Sequence, residues 1–227
     1  MKTKIVLSAI AMLGFTAAIT AQKSGPQLKA GINLANISVT DDGAVSDANM
    51  LTSFQLGVVT DIPVASIFYL QPGLLFSGKG AKVESGTQGT LGYYKATANP
   101  YYLEVPVNVL VKLPLSKESS FNVSAGPYLG VGIAGRRRLE TSFGSTQKDI
   151  DFSNDDPTTI NSEEGAGFGI MRRFDYGINT GLGIEGKSLV LSAQYGLGLA
   201  KLQSGTNNNA DNNNKHRVLS FTIGFKL

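Results

Sequence analysis

The chain has one histidine, His216, and it stands four residues before Ser220. A hydroxyl beside an imidazole base is the core of nucleophilic catalysis, but a third, acidic group must orient the base. No carboxylate stands next to this pair in the sequence, so a lipid deacylase is not supported. Cysteine is absent, which excludes disulfides, thiolate nucleophiles and thiolate metal sites. Acidic residues gather at Asp149, Asp151, Asp155, Asp156, Glu163 and Glu164 without the spacing of an EF-hand, and they read as an exposed loop. No glycine-rich phosphate loop precedes a helix, so neither a cofactor nor a metal is expected. What remains is a scatter of single polar and charged residues: Glu104, Tyr128, Arg136, Arg173, Asp175, Glu185 and Gln194. Their chemistry depends on the elements that hold them.

Those elements announce themselves by a period of two, the signature of strands with one apolar face. Leu28, Ala30, Ile32 and Leu34 alternate with Lys29, Gly31 and Asn33. A weaker alternation covers 53–60, and Phe68, Leu70, Leu74 and Phe76 share one face of a stretch over 67–79. The clearest stretch sets Tyr101, Leu103, Val105, Val107, Val109 and Val111 against Tyr102, Glu104, Asn108 and Lys112. Similar stretches begin at Phe121, Phe174, Leu189 and Arg217, and the last of them ends at Leu227. The linkers between these eight stretches go long, short, long, short, long, short, long.

This rhythm predicts an all-β fold, an eight-stranded antiparallel up-and-down transmembrane β-barrel. Eight is the smallest common even strand count, a crossing strand needs about 9–11 residues, and a closed sheet leaves no unpaired edge in lipid. A water-soluble barrel would show the same periodicity with the faces exchanged. The glycines and charges opposite the apolar face, the alternation of linker lengths, and aromatics near strand ends (Tyr101, Phe174, Phe225) favour the membrane form. Glu104, Tyr128, Arg136, Arg173, Asp175, Glu185 and Gln194 are then expected to point inward as a polar network that plugs the lumen. Inner-face glycines such as Gly132 and Gly177 leave room for it, and Pro106 predicts a bulge.

Residues 1–21 read as a signal peptide: a basic start, MKTK, an apolar run, and Ala21 before a cut at Gln22. The barrel domain is expected to fill 22–227. The 227 residues carry a formal charge of +3, and leaving out Lys2 and Lys4 of the leader brings 18 basic groups against 17 acidic ones. So small an excess is no footprint for nucleic acid. Basic groups collect near the long linkers: Lys79, Lys82, Arg136, Arg137, Arg138, Lys215 and Arg217. They read as a rim that either contacts lipopolysaccharide phosphates through charge-assisted bonds or is simply solvated.

Several segments carry a resemblance: LKAGINLANI, FYLQPGLLFSGKGAK, YYLEVPVNVLVKLPL, FNVSAGPYLGVGIAGR, FDYGINTGLGIE, LSAQYGLGLAKL and VLSFTIGFKL. Through them the chain resembles the Bacteroidetes-type outer-membrane β-barrel domain, the PorT-like group. The resemblance implies a bacterial outer-membrane location, periplasmic termini, extracellular long loops and delivery by the barrel-assembly machinery. The closing Phe225-Lys226-Leu227 departs from the usual terminal aromatic signal. The function expected is non-enzymatic: a structural or envelope-stabilising protein among outer-membrane lipid and lipopolysaccharide. The alternative is an accessory barrel of a protein-secretion or other envelope complex with a protein partner, or a narrow channel.

Overall fold

The computed structural model describes residues 25–38, 40–41, 44–45, 50–153, 169–202 and 215–227. The secretion leader and the Asn-rich linker expected from the sequence lie outside them, as do Asp155, Asp156, Glu163 and Glu164.

Eight long antiparallel strands pair in a ring. They are β1 (Pro26–Ser38), β4 (Leu51–Thr60), β6 (Phe68–Gly78), β8 (Tyr94–Pro114), β9 (Ser120–Thr141), β13 (Phe174–Glu185), β14 (Leu189–Gly198) and β15 (Lys215–Lys226). Each pairs with the next, and β15 returns to β1 with Gln27 opposite Lys226 and Ser38 opposite Lys215. β-Branched residues every second position, as at Val105, Val107, Val109 and Val111, suit the pleat. The turn after β8 is closed by Leu115 N–H donating to the Ser119 carbonyl at 2.9 Å. Short turns and both ends of the ring's chain share one end of the molecule, where Leu227 N–H reaches the Pro26 carbonyl at 2.9 Å.

The pairing overturns the expected eight-stranded up-and-down transmembrane β-barrel with eight transmembrane β-strands. The main sheet has eleven strands: β5 (Ile62–Ala65) adds to β6, β7 (Ala81–Ser85) to β8, and β10 (Gly144–Asp149) to β9. Two further two-stranded sheets stand apart. One joins β2 (Thr40–Asp41) to β3 (Ala44–Val45), and the other joins β11 (Asp151–Phe152) to β12 (Ile170–Met171) in parallel. The reason is physical. Segments that read as loops still have backbone donors to satisfy, and they do so by folding back as hairpins on their neighbours. β8 and β9 thereby reach 21 and 22 residues, about twice the roughly 9–11 that a crossing strand needs.

The ring is polar inside and apolar outside. Along β8, Val109 is 51 % exposed while Asn108 is 3 % exposed. Ile32, Leu129, Leu182, Leu191 and Ile223 also face outward; Asn33, Gln71, Asp175 and Asn179 are buried. The small apolar cores lie instead at the long-connection end. Ile37 packs with Ala81 and Leu202, and Ala98 packs with Ile150, Met171 and Phe152.

The bulge predicted at Pro106 falls elsewhere. Pro106 sits in register opposite Tyr128, whereas the ladder shifts between Tyr101 and Tyr102, leaving Ile133 as the extra residue on β9. Beyond this bulge the inward parity of β9 changes from even to odd positions: Gly132 is buried, and so is Gly135.

Candidate functional site

Two layers of buried charge fill the ring. The first lies toward the long connections and centres on Lys79, just past β6. Its ammonium pairs with Glu104 from β8 and with Asp175 from β13, the latter at 2.8 Å. Tyr128 from β9 donates to Asp175 at 3.2 Å, and the ammonium sits 4.1 Å from the Tyr128 ring centroid. Three strands thus converge on one cation, which ties the sheet across its interior.

Above this layer the mouth is closed by rings. Tyr102 meets Phe152 edge-on at 5.7 Å and His216 edge-on at 5.4 Å. Phe152 comes from the separate β11–β12 sheet and lies over Gly132, where any Cβ would overlap its ring. Gly177 plays a like part lower down: a Cβ there would stand 2.7 Å from Cε1 of Tyr128. His216 Nε2 lies 3.4 Å from the Tyr102 hydroxyl, while Ser220 donates to Asn33 at 2.8 Å. The histidine and serine that stand four apart in sequence therefore work with different partners.

The second layer lies toward the short turns. Asp61, at the end of β4, accepts from Gln27, Gln71 and Lys112, each at 2.7 Å. Lys112 also pairs with Glu185 at 2.7 Å, and Lys226 pairs with Glu185 as well. Between the layers Lys29 donates to Gln194 at 3.2 Å, and Asn33 donates to Ser77 at 3.0 Å. Lys29, Lys79, Lys112 and Lys226 thus balance Asp61, Glu104, Asp175 and Glu185 inside the ring. Two polar cavities of about 20 Å³ each lie within the ring, with Gln194 in the wall of both. Each has room for about one water molecule.

The residues singled out from the sequence divide. Glu104, Tyr128, Asp175 and Glu185 are buried in the ring, and Gln194 is half-buried there. Arg136 and Arg173 are not in the interior. Arg136 lies past the bulge, so its parity is outward, and its exposed guanidinium stands 3.9 Å from Asp149. Arg173 precedes β13, where the chain bends out of the sheet, and it donates to the Phe152 carbonyl at 3.1 Å. Lys79 is not on a rim: it is 3 % exposed and shares the inward parity of Gln71 and Ser77. Among the other basic groups, Arg138 pairs with Glu140 at 3.2 Å. Arg217 donates to the Gly198 and His216 carbonyls, both at 2.8 Å. Lys82, Arg137 and Lys215 are half-buried. Parity could have found Lys29, Asn33, Lys79 and Lys112, and also Asp61, which continues the inward parity of Ser53, Gln55 and Val59 one residue past β4.

A ring of strands with ion pairs within and aliphatic side chains without inverts the order of a water-soluble protein, and it defines a β-sheet protein of a lipid environment. The chain belongs to the family described as the outer membrane protein beta-barrel domain, whose model matches residues 20–204. It is an outer-membrane protein; among the described residues no group of three His, Cys, Asp or Glu could hold a metal. No curated protein matches the chain.

Solved structures show a distant likeness. The attachment invasion locus protein of Yersinia pestis, in complex with the heparin analogue sucrose octasulfate, has 11% identity and a TM-score of 0.44, covering 91% of this chain and 100% of that one. Neisserial surface protein A has 10% identity and a TM-score of 0.44, with the same coverage, 91% and 100%. The N-terminal beta-barrel domain of Pseudomonas aeruginosa OprF has 8% identity and a TM-score of 0.35, covering 90% and 100%.

Proposed function

We propose that this protein is a structural, envelope-stabilising component of the bacterial outer membrane. The observation that carries the reading is the filled interior. Balanced ion pairs occupy the ring, two polar cavities within it are water-sized, and Phe152, Tyr102 and His216 stack at the mouth. Such an interior stiffens the sheet and offers no route to a hydrated solute, which weighs against a narrow channel. The apolar exterior gives lipid a continuous surface.

The finer points follow from that reading. Residues 1–21 act as a leader and 22–227 as the mature domain. The termini and short turns face the periplasm, and the long connections face outward. The outer-membrane assembly machinery delivers the chain, and the PorT-like resemblance is the subgroup we assign. Lys82, Arg136, Arg138 and Lys215 form the rim that meets lipopolysaccharide phosphates. A deletion strain is expected to admit apolar dyes and detergent more readily than its parent, with recovery on re-expression of the chain. An intact envelope in the deletion strain, together with a stoichiometric partner retained in mild detergent, would replace this reading with that of an accessory to an envelope complex.

A further inference from the structure

Above the ring, β7, β8, β9 and β10 continue as a four-stranded sheet. Its two faces differ. On one, Lys95 stands 3.9 Å from Glu84 and Arg138 3.2 Å from Glu140, so the charges are paired. The other face continues the inner lining of the ring. There Val83, Ala96 and Leu139 follow one another across the strands in register, with Tyr94 one pleat further out. Leu139 is 46 % exposed and Tyr94 41 % exposed. Lipid accounts for apolar exposure on the outside of the ring, but this face is turned away from that exterior.

One row nearer the ring, Arg137 on β9 lies directly opposite Lys148 on β10. Side chains so placed have Cβ atoms about 4.5–5.5 Å apart, and like charges there repel. The residues on either side do not repeat the pattern: Arg136 faces Asp149 and Arg138 faces Gln147. Neither Arg137 nor Lys148 has an ion-pair partner among the described residues. The apolar row and the two cations line one cavity of about 380 Å³, within the roughly 300–1,000 Å³ of small-molecule sites.

We infer that this inner face binds a free single-chain carboxylate, its head between Arg137 and Lys148 and its tail along Leu139, Ala96, Val83 and Tyr94. An anion there converts a like-charge repulsion into two charge-assisted hydrogen bonds. The tail covers the exposed side chains. A lipid anchored in the bilayer reaches only the outside of the ring, so the occupant is a soluble amphiphile. The inference is independent of the structural role proposed above, and either can fail without the other.

Calorimetric titration of the full chain in nanodiscs, referenced to lipid-only nanodiscs, tests it with decanoate as the probe. Saturable binding of one decanoate is expected, with decanol and acetate weaker by about tenfold or more. Arg137→Gln with Lys148→Gln is expected to weaken decanoate by a similar factor, and Leu139→Asp to abolish binding. Arg136→Gln, on the paired face and outside the lining of the cavity, leaves it unchanged. No saturable binding by the unaltered chain, equal affinity for decanol, or equal losses in variants of the two faces would overturn the inference.

Discussion

Lys79 is the residue on which the interior turns. It is enclosed with two carboxylates and lies against Tyr128, so its charge is what allows Glu104 and Asp175 to stay ionised away from water. Removing one partner of a buried pair leaves an uncompensated charge and costs about 3–5 kcal/mol. Lys79→Met is therefore expected to lower the urea midpoint markedly. The triple variant Lys79→Met, Glu104→Gln, Asp175→Asn should recover part of that loss, because no buried charge is then unpaired. If the single and triple variants unfold at the same midpoint, the layer is not held by charge compensation. A steric prediction sits beside it. Gly132→Val would drive Phe152 off its seat over β9, and protease cleavage near 152 should become faster than in the unaltered chain, while Gly186→Val, where a Cβ meets only the Leu189 carbonyl at 3.7 Å, should not give that effect.

At the scale of the element, the bulge at Ile133 decides which arginine points where. A cysteine at 136 is expected to react quickly with a hydrophilic maleimide and one at 137 slowly. Deleting Ile133 should exchange those rates, since a one-residue change flips every later side chain on the strand. Unchanged rates in the deletion would show that the bulge does not set the parity. This same element marks the limit of what the residues alone disclosed. Alternation located all eight ring strands, and it put Glu104, Asp175 and Glu185 inward, because a period of two is written in every strand. It misplaced Arg136 because glycine recurs along this strand, at 126, 130, 132 and 135, so Gly132 beside Ile133 does not single out the point where the parity shifts. It read 80–99 and 137–171 as loops, although β7, β10, β11 and β12 form there and β8 and β9 run into them. Those segments are polar and rich in Gly and Thr; their strands exist because long neighbours supply a template. Lys79 was legible by parity and was missed because it lies one residue past its strand.

On the scale of the whole molecule, the inside-out arrangement and the family place the protein in the outer membrane, and the filled ring argues for a rigid, non-conducting body. The charges sum to zero over the ring as a whole, and each is held by a partner across the sheet. The most direct measurement is the current across a planar lipid bilayer into which the purified full chain has been inserted, recorded under an applied voltage. The account predicts no discrete conductance steps above those of lipid alone. Reproducible steps from the unaltered chain would contradict it, because they would require a continuous aqueous path through Lys79, Tyr102 and Phe152.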